Sequence, residues 1–125
     1  MKKFDSNDNT DLQNWNVLTD ELEVEKLIEA SREQPQLIYK HSPTCGICAM
    51  TKGRIEQSFN NISNKAGMHF VNVIKARPAS NAIEEKLQVR HESPQVLVLR
   101  NGECIWHTSH YSIKADTILE ALKEN

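Results

Sequence analysis

Residues 37–48 read LIYKHSPTCGIC and decide the fold of this chain. The apolar run at 37–39 predicts a buried strand, and the polar residues after it predict a loop. The loop leads to Cys45 and Cys48, which are separated by two residues. Two cysteines at this spacing can close a small disulfide ring, and at a helix start both lie near unpaired backbone N–H groups, which favour a thiolate. The stretch therefore predicts thiol-disulfide chemistry.

The helix that follows gives the two cysteines different surroundings. Ile55, Phe59 and Ile62 recur at helical spacing. Cys48 lies seven residues before Ile55, which places it on the same buried face, whereas Cys45 lies one position outside the helix. We therefore expect Cys45 to be the exposed nucleophile. Cys48 should be a shielded thiol that attacks only a mixed disulfide formed next to it.

Hydrophobic periodicity predicts the other elements on both sides of this stretch. The further predicted strands are residues 15–18, 68–74, 96–99 and 103–107. The predicted helices run from a cap at Thr19 or Asp20 to Pro35, from the cysteines to Gly67, over 79–87, and from a cap at Ser112 through Ile118, Leu119 and Leu122. Asn101-Gly102 predicts a hairpin between the last two strands. This order predicts an α/β fold with a mixed sheet and helices on both faces.

Length and composition describe one ordinary domain. The chain has 125 residues, of which 38% are hydrophobic and 26% are charged. This length supports a single hydrophobic core. Residues 1–13 are polar and without periodicity, so we expect a flexible lead-in there and a domain over 14–125. A formal net charge of -2 argues against nucleic acid and membranes as partners.

The cysteine count and the amino terminus bear on the compartment. No apolar stretch follows Lys2 and Lys3, so we expect no signal peptide. No segment approaches the roughly 18 apolar residues of a membrane span. Three cysteines are an odd number, which does not fit a disulfide scaffold and suits a reducing compartment. We therefore expect a cytoplasmic protein.

A cysteine pair at this spacing can also bind a metal. Such a site needs two further ligands, and no second close-spaced pair of cysteines or histidines is present to complete a zinc finger. A cluster shared between two subunits is the form that a zinc or iron-sulfur site would take. We expect no metal and no cofactor besides the redox-active disulfide. A non-enzymatic metal or iron-sulfur carrier that uses Cys45 and Cys48 is kept as an alternative.

Three further positions are candidates for a role near the cysteines. His41 precedes Cys45 by four residues and can stabilise its thiolate, or it is an exposed loop histidine without a role. Cys104 follows the hairpin turn and is expected to be a packed thiol. Pro94 opens a strand, and a cis bond there would turn the backbone of Ser93 outward, where it can pair with an extended substrate. Otherwise Pro94 is an ordinary first residue of a strand.

Several short segments along the chain resemble those of one family. They are His41-Ser42, Thr44-Cys45-Gly46-Ile47-Cys48, Arg77-Pro78, Ser80-Asn81 with Ile83, His91-Glu92-Ser93-Pro94-Gln95, and Asn101-Gly102 with Trp106, Ser109 and His110. Together they resemble the thioredoxin fold and, within it, the bacilliredoxins of the monothiol, YtxJ-like type. This combination is far more specific than the cysteine pair alone.

The resemblance implies a thioredoxin-like fold with a mixed sheet of four to five strands and Pro94 as a cis-proline facing the active loop. It also implies a thiol-disulfide oxidoreductase that removes low-molecular-weight thiols, notably bacillithiol, from cysteines of other proteins. Cys45 would attack the mixed disulfide and carry the small thiol away, until a second thiol and ultimately a reductase release it. The residues expected to contact substrate are Thr44, Gly46, Ile47, Ser93 and Pro94.

The active loop departs from the family pattern at two positions. The family commonly shows Thr-Cys-Pro-Ile-Ser, whereas Gly46 replaces the proline here and Cys48 replaces the serine. Because Cys48 can resolve a mixed disulfide and a serine cannot, a dithiol cycle becomes possible beside the monothiol one. Many thioredoxins carry a buried aspartate at the position of Tyr39, and its replacement favours a glutaredoxin-like or bacilliredoxin-like role. A thioredoxin-like general protein disulfide reductase is the alternative.

Overall fold

Five strands form one mixed sheet at the centre of the protein. The computed structural model describes residues 4–5 and 10–123, with side chains from residue 12 onward. A short pairing of β1 (Phe4–Asp5) with β2 (Thr10–Asp11) precedes the sheet, which contains β3 (Asn16–Val17), β4 (Gln36–His41), β5 (Gly67–Asn72), β6 (Gln95–Arg100) and β7 (Glu103–Ser109). The helices are α1 (Glu21–Ala30), α2 (Gly46–Gln57), α3 (Phe59–Ser63), α4 (Arg77–Leu87) and α5 (Ala115–Leu122). None of these helices of the described chain is long and apolar enough to cross a membrane.

The strand order β3-β5-β4-β6-β7 makes the sheet mixed. β5 is parallel to both β3 and β4, while β6 is antiparallel to β4 and β7 is antiparallel to β6. Parallel strands need a crossover connection, which α1 supplies between β3 and β4, and α2 with α3 supplies between β4 and β5. The predicted α/β fold with a mixed sheet is confirmed.

Alternate residues of β4 pack against the two faces of the sheet. Leu37 and Tyr39 belong to the core cluster that also holds Ile55 of α2 and Ile118 of α5. Ile38 belongs to the opposite cluster, with residues of α1 and α4. Because helices cover both faces, every residue of β4 is buried, and the apolar residues at its centre, 37–39, are consecutive rather than alternating. The predicted helices on both faces are confirmed.

The long helix after the cysteines is broken once. The sequence predicts one helix up to Gly67, but α2 ends at Gln57 and α3 begins at Phe59. Ser58 between them leaves helical geometry, with φ at -117° and ψ at 23°. After the break, Phe59 packs edge-on against Trp15, with ring centroids 5.2 Å apart. This contact joins distant parts of the chain, so helical periodicity does not reveal it.

The last helix begins later than the sequence predicts. The expectation that Ser112 caps it is wrong, because Ser112 lies in a short 3₁₀ turn and α5 begins at Ala115 without a side-chain cap. Between them, Ile113 has an extended backbone and is fully buried, and its carbonyl oxygen accepts a hydrogen bond from Nη1 of Arg54 (3.0 Å). A helix starting at Ser112 would require a helical backbone at Ile113, which is extended here and bonded to Arg54.

The hairpin predicted at Asn101-Gly102 is present and brings the end of β7 to the start of β6. Both turn residues have positive φ, 56° and 83°, as a type I′ turn requires. β7 continues to Ser109, beyond the predicted end at residue 107. The next backbone N–H, of His110, donates to the carbonyl oxygen of Pro94 (3.0 Å). The hairpin therefore supports the segment that contains Pro94.

The predicted lead-in over 1–13 lies partly outside the described residues, which omit 1–3 and 6–9. Within it, Leu12 is buried in the core cluster of Tyr39 and Ile55. Packing of the domain therefore extends two residues before the predicted boundary at residue 14. The flexibility of the lead-in stays a prediction.

Candidate active site

Cys45 and Cys48 lie at the junction of β4 and α2. Cys45 immediately precedes the helix, with an extended backbone (φ -100°, ψ 120°), and its side chain is half-buried. Cys48 lies in the first turn and has no exposed surface (0%). Both are free thiols. The structure thus contains one sulfur that a substrate can reach and one that is shielded, as the helical phase of the sequence predicts.

Ser42 holds the loop that carries the cysteines. Its backbone N–H donates to Sγ of Cys48 (3.4 Å), and its carbonyl oxygen accepts from the N–H of Cys45 (3.2 Å). Its hydroxyl lies 3.0 Å from Oγ1 of Thr44 and accepts from the Thr44 N–H (3.4 Å). Sequence reasoning gave Ser42 no role. The available signal was a serine two residues before a threonine in a short loop, where hydroxyls commonly bond to nearby backbone groups.

The segment around Pro94 meets the cysteine loop. The Ser93–Pro94 peptide bond is cis. Oγ of Ser93 lies 4.0 Å from Sγ of Cys48, although 45 residues separate them in the chain. Ser93 is half-buried and Pro94 is buried. The structure therefore brings the Ser93–Pro94 segment next to Cys48, in the loop region that also carries Cys45.

The surroundings of Cys48 keep it protonated near neutral pH. The pKa of the Cys48 thiol is raised to about 11, chiefly by burial and also by the adjacent Cys45 sulfur. The backbone N–H of Ser42 and the hydroxyl of Ser93 oppose this shift, since they stabilise a thiolate. Burial is the largest of these effects, so Cys48 is a poor nucleophile at pH 7.

Tyr39 lies beneath the first turn of α2. Its hydroxyl donates to the carbonyl oxygen of Cys48 (2.8 Å) and lies 2.8 Å from Oγ1 of Thr51. The side chain is fully buried, and burial raises the pKa of the Tyr39 phenol above its ordinary value. The residue therefore stays neutral and anchors the helix backbone. It cannot serve as the proton acceptor that a buried carboxylate would provide.

His41 is not a loop residue. It is the last residue of β4 and is buried, so the expectation of an exposed loop histidine is wrong. Its ring packs 5.2 Å from Phe70 and 5.9 Å from Tyr39, measured between centroids. The strand extends this far because it pairs with β5, where His41 lies opposite Asn72. A role of His41 in stabilising the Cys45 thiolate stays a prediction.

The remaining predicted substrate contacts surround Cys45 at the surface. Thr44 and Gly46 are exposed, and Ile47 is half-buried. They occupy the loop end and the first turn of α2. Their placement next to the accessible sulfur is compatible with substrate contact.

Cys104 lies apart from the cysteine pair. It is half-buried in β7 opposite Leu99, near the end of β6 that is farther from Pro94. Its thiol donates to the carbonyl oxygen of Trp106 (3.3 Å), and burial raises its pKa. Within the described residues, the structure brings together no group of three or more histidine, cysteine, aspartate or glutamate side chains that could hold a metal ion.

Gly46 can be replaced by proline without a clash at Cβ. A Cβ there would meet no atom within 4 Å, and Gly46 is the first residue of α2, where proline is favoured. The preceding residue, Cys45, already has the extended backbone that a following proline requires. We expect Gly46→Pro to raise the free energy of unfolding by about 0.4–1 kcal/mol, as measured by urea denaturation of the reduced protein.

Gly53 provides the matched control for that substitution. Its Cβ would also meet no atom within 4 Å, but the residue lies inside α2, where proline removes a helical hydrogen bond. We expect Gly53→Pro to lower the free energy of unfolding by about 3 kcal/mol. Equal losses in both variants would contradict the described start of α2.

Comparison with known proteins identifies the family. The chain matches the monothiol bacilliredoxin family, BrxC, over residues 16–118. A solved structure with a thioredoxin fold is 28% identical, with a TM-score of 0.77 over 89% of this chain and 95% of that one. The thioredoxin of Fasciola hepatica (17% identity, TM-score 0.68, 86% and 96% covered) and thioredoxin O2 of Arabidopsis thaliana (17%, 0.68, 88% and 92%) share the fold.

The family match runs from β3 into α5 and includes both cysteines and the Ser93–Pro94 turn. The chain therefore belongs to the monothiol bacilliredoxin family, and it is a thiol-disulfide oxidoreductase with a thioredoxin fold.

Proposed function

We propose that this protein removes a low-molecular-weight thiol, bacillithiol first among the candidates, from cysteines of other proteins in the cytoplasm. The observation that carries this function is the unequal exposure of the two sulfurs. Cys45 is half-buried and can be reached by a substrate, whereas Cys48, which lies near Ser93, is fully buried with a pKa of about 11. One accessible thiol suffices to take over a small thiol from a protein.

The transfer is a thiol-disulfide exchange without net oxidation. The Cys45 thiolate attacks the small-thiol sulfur of the mixed disulfide, a new sulfur-sulfur bond forms, and the target cysteine leaves as a thiolate that takes up a proton. The small thiol is then bound to Cys45 as a mixed disulfide. A second small thiol attacks this adduct, leaves with the first one as a symmetrical disulfide, and returns Cys45 to the thiolate. A reductase outside this chain reduces that disulfide.

The surface around Cys45 supports recognition of a cysteine on another protein. We propose that Thr44, Gly46 and Ile47 contact the substrate on one side of the sulfur, and that the Ser93–Pro94 turn contacts it on the other. Ser93 can offer its backbone to an extended segment of the target, as an added strand would. Thr44 and Gly46 are exposed, which leaves room for such a segment.

A second candidate function uses both cysteines. The Cys45 sulfur is close enough to that of Cys48 to contribute to the raised pKa of the Cys48 thiol. If Cys48 attacks the adduct on Cys45, the small thiol leaves and a Cys45–Cys48 disulfide forms, which an external reductant must open. The same dithiol could reduce protein disulfides generally, as a thioredoxin does.

A trapping experiment separates the two functions. The Cys48→Ser variant is mixed with a protein that carries bacillithiol on its single cysteine, and the products are identified by intact mass. We expect an adduct of one bacillithiol on Cys45 and a free thiol on the substrate protein, because Cys48 is not needed for the first exchange. The same substrate carrying glutathione serves as the control for the identity of the small thiol.

A covalent complex between the variant and the substrate protein would contradict small-thiol removal, since Cys45 would then have attacked the other sulfur. That outcome favours the general disulfide reductase. Equal transfer of glutathione would show that the site does not select bacillithiol.

A further inference from the structure

A lysine lies buried in the strand that leads to the cysteines. Lys40 is the second-last residue of β4 and has no exposed surface (0%). It precedes Cys45 by five residues. Side chains alternate between the two faces of a strand, so Lys40 lies on the same face of β4 as Ile38. That face packs against α1 and α4, and the opposite face packs against α2. Lysine is almost never fully buried without a partner, because removing its charge from water is costly.

The partner of Lys40 is the residue that follows the cis-proline. Nζ of Lys40 donates to Oε1 of Gln95 (3.0 Å). Gln95 is itself buried (1% exposed), and its Nε2 donates to the carbonyl oxygen of Arg90 (3.1 Å). Gln95 and Arg90 bracket the segment that contains Ser93 and Pro94. The two hydrogen bonds therefore connect the central strand to both ends of this segment, which we call the proline loop (residues 90–95).

The pairing of β4 with β6 determines where the Lys40–Gln95 hydrogen bond lies. Lys40 and Gln95 are the final residue pair of that antiparallel register. Beyond it, β4 leads through Ser42 to Cys45, and β6 begins at Gln95, the last residue of the proline loop. The Lys40–Gln95 contact thus lies where the backbone ladder ends and the two loops that meet at the cysteines begin. This hydrogen bond between two side chains connects β4 to the proline loop.

Several charged groups face this contact. Glu84 of α4 and Glu92 of the proline loop act on Lys40, and Glu84 also accepts a hydrogen bond from the backbone N–H of His91 (3.0 Å). Burial lowers the pKa of Lys40 to about 8, while the two carboxylates oppose the shift. Burial, together with Lys40 and Arg77, lowers the pKa of His91. The Lys40 ammonium is therefore hydrogen-bonded to Gln95, and the negative charges of Glu84 and Glu92 favour its protonated form.

We propose that Lys40 is a positioning residue that acts through Gln95 to hold the proline loop where a protein substrate must bind beside Cys45. Lys40 does not touch the substrate or either sulfur in this role. The role rests on the proposed function, because the proline loop matters only if a target protein binds across it. It differs from packing, which would support the whole fold rather than one loop.

The first test replaces Lys40 by methionine, which is similar in length but has no donor. With a protein carrying bacillithiol as substrate, we expect Lys40→Met to raise KM about tenfold, with kcat changed less than about twofold, since a charged hydrogen bond that orders the binding loop is lost. The rate at which Cys45 is alkylated by iodoacetamide should equal that of the wild type. If the substitution slowed bacillithiol transfer and alkylation of Cys45 by the same factor, the positioning role would be overturned.

The second test approaches the same contact from the other side. Gln95→Met should raise KM to a similar extent, and the double variant should show no further increase, because both changes break one connection. This variant also decides the question if Lys40→Met does not fold. Effects that multiply in the double variant would show independent structural roles and would contradict the inference. Lys86→Met is the control, since Lys86 pairs with Glu21 and Glu25 away from the proline loop and should leave both reactions unchanged.

A pH profile adds a readout that packing would not change. Below about pH 8 the Lys40–Gln95 bond is charge-assisted, and above it the amine is neutral and the bond weakens. The ratio of wild-type to Lys40→Met kcat/KM should therefore fall as pH rises from 7 to 9. Both proteins share their cysteines, so cysteine ionisation cancels in the ratio, and carboxylates and guanidinium groups do not normally titrate in this range. A ratio independent of pH would contradict the role.

Hydrogen exchange tests the positioning role of Lys40 independently of the proposed function. Amides of residues 90–93 should exchange faster in Lys40→Met than in the wild type, while those of α2 should not. If the wild type releases no bacillithiol, the proposed function fails, and the exchange result still decides whether Lys40 holds the loop. Unchanged exchange in that loop would overturn the inference.

Discussion

Replacement of Cys45 by serine is expected to abolish thiol transfer, lowering the rate constant for release of bacillithiol from a substrate protein by more than about a thousandfold. A serine hydroxyl is not ionised at neutral pH and cannot form the mixed disulfide. Of the two sulfurs at the site, Cys48 is fully buried, so it cannot replace Cys45 as the attacking thiol. The measurement is the recovery of free thiol on the substrate protein over time.

Cys104→Ser is the control for this loss. Cys104 is half-buried near the far end of β6, and its thiol is bonded to the carbonyl oxygen of Trp106. We expect this variant to transfer bacillithiol at the wild-type rate. If Cys45→Ser keeps measurable activity that is lost when Cys104 is also replaced, the assignment of the nucleophile is wrong.

The second large effect concerns the reactivity of Cys48. In the Cys45→Ser variant at pH 7, we expect Cys48 to react with iodoacetamide at least about 100-fold more slowly than an exposed cysteine. Its pKa is raised from an ordinary 9.0 to about 11, so the thiolate fraction at pH 7 is about 100-fold lower than that of an ordinary cysteine. Mass spectrometry of the alkylated protein over pH 7–11 measures this rate. The midpoint should fall somewhat below 11, because the raising effect of Cys45 is absent.

The same chemistry predicts how pH divides the two routes. At neutral pH little Cys48 is ionised, so Cys48→Ser should cost little activity and the monothiol route should dominate. As pH rises toward 11, the thiolate fraction of Cys48 increases about tenfold per unit, and resolution of the Cys45 adduct by Cys48 should accelerate accordingly. Alkylation of Cys48 at the rate of an exposed cysteine would show that the first turn of α2 opens readily, and both expectations would fail.

Local order along the chain could be predicted well because it depends on short-range spacing. The distance of seven residues between Cys48 and Ile55 defines one helix face, which fixes which sulfur is buried. Asn101-Gly102 adopts positive φ and forms the hairpin that its residue types favour. The predictions failed where a distant contact decided the local structure. Ile113, anchored by Arg54, displaces the start of α5 from the position that Ser112 indicates.

Long-range contacts decide the chemistry of the site. The 4.0 Å approach of Ser93 to Cys48 joins residues 45 positions apart, and the bond from Lys40 to Gln95 joins residues 55 apart. No periodicity encodes such distances, because they arise from which strands become neighbours in the sheet. The residue pattern alone was enough for the fold class and for the unequal exposure of the two cysteines before and in α2. Only the folded sheet decided which loops meet the cysteines, because burial and the partners of a sulfur or an ammonium are properties of packed neighbours.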